Sequence, residues 1–299
     1  MRNKSLALLI ILVFLLSSCN APAISTPLPS ESATGSAPTE VPATPTPTSA
    51  PLALVVNGEG ILLSEYQSEL IRLQSALSQL GKEMSPAEQK DQVINSFIDQ
   101  LLLAQAAARA GFSVSEDALT QRIDRLIQDL GRPETLTAWQ TANGYTDDTF
   151  RIALKREMAV AWQRDVITNA APITAEQIHA RQLFFKNEAN AIAAQKKLES
   201  GVDFGTLAEE QDTTLGGDLG WFPRGMLTQP EVEAAVFAMQ PGETSGIIAS
   251  SLGYHIVNVL EREIDHPLST EARVMLQEKA LQDWLTAERE KSSIEILVP

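Results

Sequence analysis

The character of the sequence changes at Ile173, and this change constrains the fold more than any other feature. Before it, from Leu54 to Thr168, apolar residues recur at helical spacing behind strong helix-start signals. After it, short extended and helical segments alternate as far as residue 264. The order predicts an α+β chain, in which a helical domain is joined to a small domain whose helices cover an antiparallel sheet.

The first part is predicted to open with two short extended pieces and to continue as helices. Leu54–Val56 and Ile61–Leu63 flank an Asn57-Gly58 turn. The strongest helix start is Ser85-Pro86-Ala87-Glu88, which combines an N-cap, a proline at the first helical position and a capping glutamate. Helices are predicted to start at Ser64, Ser85 and Ser115 and to occupy residues 134–142 and 146–168.

The second part is predicted to hold three strands and three main helices around a glycine-rich loop. It opens with Thr174-Ala175-Glu176-Gln177, which has the pattern of a capping box and predicts a short helical turn. The predicted strands are 180–185, 245–249 and 253–261, the predicted helices are 188–200, 204–210 and 231–239, and the loop lies near Gly216. Beyond Pro267 a helix over 271–291 and a terminal apolar strand over 294–298 are expected.

The amino-terminal end has the pattern of an export signal. Arg2 and Lys4 precede an unbroken apolar run, Leu6–Leu16, which is shorter than the roughly 20 residues of a membrane-spanning helix. Leu16-Ser17-Ser18-Cys19 resembles the lipobox of bacterial lipoproteins. This resemblance implies removal of residues 1–18 and a lipid on Cys19, with residues 19–53 as a Pro/Thr/Ser-rich tether. A plain signal peptide with an incidental cysteine is the alternative.

Composition excludes several classes of site and partner. Cys19 is the only cysteine, so a disulfide framework and a thiolate metal site are excluded. A formal net charge of −15 disfavours nucleic acid as a partner, because the surface repels phosphate. His179 and His266 have no metal-ligand spacing to any partner, so no metal site is expected and both are interpreted as surface residues. Trp221 is interpreted as a packing anchor.

Four segments of the second part together resemble one enzyme family. Residues 216–225 read GGDLGWFPRG, residues 230–237 read PEVEAAVF, residues 241–243 read PGE and residues 253–257 read GYHIV. In order and spacing these resemble the signature of parvulin-type prolyl isomerases, and GVDF at 201–204 with Leu207-Ala208 matches the segment upstream. The resemblance implies that residues 173–264 form an isomerase domain that acts on X-Pro bonds without metal or cofactor.

The arrangement around that domain resembles extracytoplasmic foldases of the PrsA and SurA type. The resemblance implies that residues 54–170 with 268–299 form one discontinuous helical chaperone domain. Residues 271–298 are then expected to pack on residues 54–168 and not on the parvulin domain. It further implies that unfolded exported polypeptides are the partners, and that the protein works on the outer face of a membrane.

The family resemblance also implies a set of site residues. The family pairs a histidine on its first strand with one on its last; here the last is His255, and Gln182 stands in place of the first. Asp212 corresponds to the acidic or thiol position near the substrate carbonyl. Phe237 retains the second phenylalanine of the proline pocket, and Val232 replaces the first. Met226 or Leu227 is expected to fill the methionine position of the pocket.

These residues leave two functions open. Asp212, Phe237 and His255 favour a working isomerase. Gln182 and Val232 favour a chaperone that holds unfolded chains with a degenerate parvulin domain. Each candidate also has a structural interpretation, with His255 as a buried strand histidine, Asp212 as an exposed loop acid and Phe237 as a core residue.

Overall fold

The structure is a computed structural model and describes residues 50–299. The predicted signal peptide, Cys19 and the tether up to residue 49 lie outside the described residues. The strands are β1 (Leu52–Val56), β2 (Glu59–Leu62), β3 (Thr174–Phe185), β4 (Asp218–Pro223), β5 (Ile248–Ser250), β6 (Gly253–Pro267) and β7 (Ile294–Ile296). The helices are α1 (Leu63–Gln79), α2 (Pro86–Arg109), α3 (Glu116–Leu130), α4 (Pro133–Ala142), α5 (Asp147–Asn169), α6 (Glu188–Glu199), α7 (Phe204–Gln211), α8 (Pro230–Ala238) and α9 (Thr270–Glu290). The predicted α+β class is confirmed.

The local helix-start signals are mostly confirmed. Ser85 accepts a hydrogen bond from the Glu88 backbone N–H, and the Glu88 carboxylate accepts one from the Ser85 N–H in return, so the capping box is complete. Ser115 likewise caps α3. The prediction at Ser64 is wrong, because β2 runs directly into α1. The first helical N–H, at Leu63, instead donates to the Pro51 carbonyl at 2.8 Å.

The carboxyl terminus returns to the first part of the chain. Strand β7 pairs with β1 in a three-stranded antiparallel sheet of order β2-β1-β7. Helix α9 packs on α2 and α5, and the Arg289 guanidinium donates to the Asp99 carboxylate of α2 at 2.6 Å. One part of the expectation needs correction, because Met275 and Lys279 of α9 also lie beside Gly225, which belongs to the second part of the chain.

The second sheet has the antiparallel order β4-β3-β6-β5. The helical turn predicted at Thr174 is wrong, since β3 already begins there and pairs with the end of β6. The buried Gln177 side chain donates to the carbonyls of His266 and Pro267, which fixes this segment to β6. The glycine-rich segment is also not wholly a loop, because Asp218–Pro223 pairs with β3 as β4.

The two faces of the second sheet are covered by different helices. Side chains of a strand alternate between faces, so residues two apart share one. One face of β3 and β6 packs under α8, and the other packs under α6 and α7. The first face is formed by Ile178, Ala180, Val257 and Val259 with Val232, Val236 and Phe237 of α8; the second is formed by Leu183 and Ile256 with Ala194, Phe204, Leu207 and Ala208.

Within residues 50–299, no helix combines the length and the apolarity that crossing a bilayer requires.

Candidate functional site

Gln182 and His255 lie on the α8 face of the second sheet. Gln182 is directly opposite Val257 across β3 and β6, and Phe184 is directly opposite His255. The two polar side chains therefore occupy diagonal positions on the same face, within reach of each other. His255 Nδ1 lies 3.2 Å from Gln182 Oε1. Gln182 thus pairs with His255 in the place where the family has a second histidine.

His255 is buried and has a partner on each ring nitrogen. Because the Gln182 oxygen only accepts, Nδ1 carries the proton, and Nε2 accepts from the Ser250 hydroxyl at 2.8 Å. The Phe184 ring lies against the imidazole, with centroids 5.0 Å apart. Burial lowers the pKa of His255 below its usual value, and the charge of Glu231 opposes this shift. The arrangement holds a neutral imidazole in one tautomer.

Asp212 ends helix α7 and forms a tight turn with the residues after it. Its Oδ1 accepts from the N–H groups of Thr214 at 3.0 Å and Leu215 at 3.2 Å, and its Oδ2 accepts from Gly217 at 3.4 Å. The hydrogen bonds from Leu215 and Thr214 hold the pKa of Asp212 below its usual range. Asp212 is therefore an ionised carboxylate at neutral pH whose oxygens already have backbone partners.

The segment 211–217 runs along the end of β3 that follows Arg181, where β4 no longer pairs with β3. The Gln211 side chain accepts from the Phe184 N–H at 3.1 Å and donates to the Phe184 carbonyl. At the other end, Gln182 N–H donates to the Gly217 carbonyl at 2.8 Å. Gly217 has φ +68°, and an added β-carbon would lie 2.2 Å from the Gln182 carbonyl oxygen. Only glycine permits this approach, which brings the Asp212 turn beside Gln182.

The four predicted pocket residues lie in one apolar cluster. Val232 and Phe237, on α8, are buried, while Met226 and Leu227 are partly buried and pack against the same cluster. The Arg224 guanidinium lies over the Phe237 ring, 4.1 Å from its centroid. Phe237 is therefore a core residue, and Met226 and Leu227 pack against the cluster that contains it.

The Glu233 carboxylate fixes the loop that carries Met226 and Leu227. It accepts from the Gly225 N–H at 2.8 Å and from the Leu227 N–H at 3.2 Å. Glu233 shares α8 with Val232 and Phe237, so it sets the position of the loop relative to the two buried side chains. Sequence reasoning missed this role, although Glu233 follows Val232 directly in the segment that carried the family resemblance.

The other two histidines lie away from the site. His179 Nε2 is 2.9 Å from Asp218 Oδ1, and His266 stacks on Trp221 with centroids 4.1 Å apart. Both rings are half-buried at the surface, and both pack against Trp221, as expected for a packing anchor. Within residues 50–299, no three His, Cys, Asp or Glu side chains are grouped so that they could hold a metal ion.

Comparison with known families finds a match for each of the two parts. Residues 174–261 match the model of the PPIC-type PPIase domain, and residues 43–149 match the model of the SurA-like N-terminal domain. The chain joins a SurA-like domain to a parvulin domain. The family resemblance that the sequence carried is thus confirmed.

Several relatives carry the names of chaperones or foldases. A chaperone SurA from Thiobacillus denitrificans is 32% identical over 147 residues, covering 42% of this chain and 34% of that protein. A foldase protein PrsA from Geobacillus kaustophilus is 27% identical over 184 residues, covering 57% and 62%. The chain thus spans less than two thirds of the length of either relative. A solved structure of the peptidylprolyl isomerase PrsA from Bacillus anthracis is similar with TM-score 0.41 and 22% identity, covering 65% and 94%.

Proposed function

We propose that this protein is an extracytoplasmic foldase whose parvulin domain catalyses cis–trans isomerisation of X-Pro bonds in exported polypeptides. The observation that carries the proposal is the grouping of Gln182 and His255 on the same sheet face as the apolar cluster around Phe237. The match of residues 174–261 to the PPIC-type PPIase domain supports the same reaction.

Isomerisation of an X-Pro bond makes and breaks no covalent bond, so catalysis depends on the shape and polarity of the binding pocket. The barrier of about 18–20 kcal/mol comes from loss of amide resonance as the bond twists. A twisted amide is less polar than a planar one, so a dry apolar pocket around the proline lowers the barrier. Phe237, Met226, Leu227 and Val232 supply this pocket in our proposal, and no metal or cofactor is needed.

The polar residues have separate roles in the proposal. Asp212, an ionised carboxylate, lies near the carbonyl that rotates. His255, neutral and held in one tautomer by Gln182 and Ser250, borders the same space. Because the imidazole is already fully hydrogen-bonded, its role is to shape the polar wall of the site. A fixed polar wall needs no reorganisation as the carbonyl turns.

A second candidate function is a holdase that binds unfolded chains without turning them over. Two substitutions favour it. Gln182 cannot titrate as the family histidine does, and Val232 gives the pocket less contact area than an aromatic ring. The apolar cluster and the SurA-like domain suit binding equally well under this alternative.

One experiment separates the two functions. The full chain, purified in detergent, is tested for exchange of cis and trans forms of a short Ala-Leu-Pro-Phe peptide by NMR, and for suppression of aggregation of a chemically unfolded protein. Exchange well above background supports the isomerase, and Phe237→Ala is expected to reduce it. Background exchange together with suppressed aggregation would establish the holdase instead. Failure in both assays rejects the foldase proposal.

We also propose that the chain is anchored by a lipid on Cys19, with residues 1–18 removed and residues 19–53 as the tether. The helical chaperone domain would comprise residues 54–170 with 268–299, and the parvulin domain residues 173–264. Expression in bacteria fed a labelled fatty acid tests the anchor. Label on the wild type and none on Cys19→Ser is the expected result; label on both would reject the assignment to Cys19.

A further inference from the structure

Helix α9 follows the second part of the chain in sequence but is fixed to helices of the first part. The Gln277 side-chain amide donates to the Thr168 carbonyl of α5 at 3.3 Å. Nearer the end of α9, Leu285 is buried with Leu103 of α2 and Val160 of α5. The position of α9 is therefore set by α2 and α5.

The same helix also reaches a loop of the parvulin domain. A β-carbon added to Gly225 would lie 3.8 Å from Met275 Sδ and 3.9 Å from Lys279 Cδ, and both are ordinary van der Waals distances. Met275 and Lys279 are four residues apart, so they lie on the same face of α9. Two side chains of α9 therefore cover the loop at the residue that has no side chain of its own.

The contact that Lys279 makes with the loop is apolar, although its side chain is charged. The ammonium donates to both carboxylate oxygens of Asp283, one turn further along α9, at 3.0 and 2.9 Å. Its methylene stem lies beside Gly225, as is common for long cationic side chains on apolar surface. Met275 adds a thioether, which adapts its shape to an irregular surface. The two residues thus give the loop an apolar support.

The loop beside α9 is the one that carries two of the proposed pocket residues. Its backbone is held from within the parvulin domain, because the Glu233 carboxylate accepts from the N–H groups of Gly225 and Leu227. The side chains of Met226 and Leu227 pack against the cluster around Phe237. The loop thus contacts the pocket cluster through Met226 and Leu227, and it contacts α9 at Gly225.

We propose that Met275 and Lys279 are positioning residues of the parvulin pocket, which hold this loop in the conformation that binds a prolyl peptide. The inference rests on the proposed function, in which Met226 and Leu227 border the proline. A loop that is already ordered loses less conformational entropy when a ligand binds, so its support raises the affinity. Coupling between two sites is reciprocal, so a bound peptide must in turn stabilise α9 on the loop. The affinity of the parvulin domain for its substrate then depends on a helix that is fixed to the first part of the chain.

The first measurement follows the loop without any peptide. Hydrogen–deuterium exchange of the full chain in detergent is read by mass spectrometry over residues 224–229 in the wild type, Met275→Ala, Met275→Leu and Val274→Ala. We expect about three- to tenfold faster exchange in Met275→Ala, because the loop opens more often once the packing is lost. Met275→Leu conserves volume and should stay near the wild type. Val274→Ala is the matched control, since Val274 is the neighbouring residue of α9 and is 46% exposed.

The second measurement follows peptide binding. Anisotropy titration with labelled Ala-Leu-Pro-Phe should show an affinity about three- to tenfold lower for Met275→Ala, with Met275→Leu and Val274→Ala within about twofold of the wild type. The cis–trans exchange rate of fully bound peptide, measured by NMR, should change less than the affinity, because Met275 supports the loop and is not a catalytic residue. Saturating peptide should slow deuterium uptake over residues 270–281 of α9 in the wild type, and less so in Met275→Ala. Deuterium uptake in α6, on the other face of the sheet, should be equal in every variant, which excludes general unfolding as the cause.

Lys279 is tested by the same two measurements. Lys279→Ala should speed exchange of the loop and weaken peptide binding, as Met275→Ala does, because it removes the methylene stem. Lys279→Met keeps an unbranched side chain without the charge and should stay near the wild type. A defect in Lys279→Met equal to that of Lys279→Ala would assign the effect to the ammonium and overturn the apolar support at this position.

The outcomes separate this inference from the proposed function. If the wild type binds and isomerises the peptide while Met275→Ala matches it in loop exchange and affinity, the role of α9 is overturned and the isomerase is left intact. An equal defect in Val274→Ala also overturns the role of Met275. Binding that weakens in Met275→Ala, without turnover in any variant, supports the role of α9 and rejects the isomerase. If the peptide does not bind the wild type, the proposed pocket and the role of α9 in binding are both rejected.

Discussion

His255 Nδ1 lies 3.2 Å from the side-chain oxygen of Gln182, so an uncharged amide partners the imidazole at this position of the parvulin domain. A histidine partner could exchange a proton with His255, whereas the glutamine does not titrate and its side-chain oxygen accepts one hydrogen bond from the imidazole. The pair therefore tests whether the site needs a second titratable group or only a fixed imidazole.

Replacing Gln182 separates these two requirements. Gln182→Leu should leave the buried Nδ1–H without an acceptor, which costs about 1–3 kcal/mol of stability. We expect turnover to fall about tenfold, because the imidazole loses the partner that fixes its orientation; such a fall corresponds to about 1.4 kcal/mol of activation free energy. Gln182→His restores a partner and should turn over within about threefold of the wild type. Urea unfolding and NMR exchange measure the two effects. A large gain in turnover for Gln182→His would show that a hydrogen-bond partner for His255 is not sufficient, and would favour a holdase function for the wild type.

The pH dependence of stability should carry the signature of His255. Burial lowers its pKa in the folded state, so the unfolded chain binds the proton more readily. Stability is therefore complete above the unfolded pKa of about 6.5 and falls as the pH drops below it. The loss is at most about 1.4 kcal/mol for each pH unit.

Urea unfolding of the wild type at pH 7.5 and 5.5 should reveal this loss, and His255→Asn should show less of it. All other ionisable groups are the same in the two proteins, so the difference between their losses isolates His255. Equal losses of stability in the two proteins would show that folding does not lower the pKa of His255.

The hydrogen bonds of the Glu233 carboxylate to the loop predict that removing this side chain weakens peptide binding without unfolding the protein. Glu233→Ala removes the acceptor of the Gly225 and Leu227 N–H groups, which frees the loop that carries Met226. We expect peptide affinity to fall about tenfold, in the range of one or two lost charge-assisted hydrogen bonds. Glu233→Gln keeps one neutral acceptor and should show a smaller loss.

Glu199→Gln serves as the control for removing a carboxylate, since Glu199 ends α6 on the opposite face of the sheet. Far-UV circular dichroism of the Glu233 variants should match the wild type. An unchanged affinity for Glu233→Ala would mean that packing alone holds Met226 and Leu227 in place.

The outcome at Ser85 and Thr174 shows what local pattern predicts and what it does not. At Ser85 the cap and its glutamate are three residues apart, so the sequence contains the whole interaction. Thr174-Gln177 has a similar pattern but forms a strand, because its partner is β6, far along the chain. The Gln177 side-chain amide donates to backbone carbonyls of that strand. A short local motif does not predict pairing between strands that are so far apart in the sequence.

The sequence predicted the candidate residues that the fold brings near one another, but it did not predict the hydrogen bonds between them. Family resemblance supplied Gln182, Asp212, His255 and Phe237, and the structure brings the first three to adjoining strands and one edge loop. It did not supply Ser250, whose hydroxyl completes the imidazole environment. Such partners depend on the register of β5 against β6 and on the turn between them, which no spacing in the sequence fixes.

Gly217 offers the sharpest test of how the Asp212 turn is positioned. Gly217→Ala should destabilise the protein twice over, since the residue has φ +68° and its new β-carbon would lie 2.2 Å from the Gln182 carbonyl oxygen. The left-handed conformation alone costs an alanine about 1–2 kcal/mol. The clash adds to this and displaces the turn from Gln182, so peptide binding should fall as well.

Gly220→Ala is the matched control for that substitution. Gly220 has φ +66°, yet nothing lies within 4 Å of its added β-carbon, so only the conformational cost applies. Unfolding in urea should therefore show a smaller loss for Gly220→Ala than for Gly217→Ala, with peptide affinity close to that of the wild type. Equal losses of stability in the two variants would mean that the turn yields to the new methyl group. The close approach of Gly217 to Gln182 would then not be what holds Asp212 at the site.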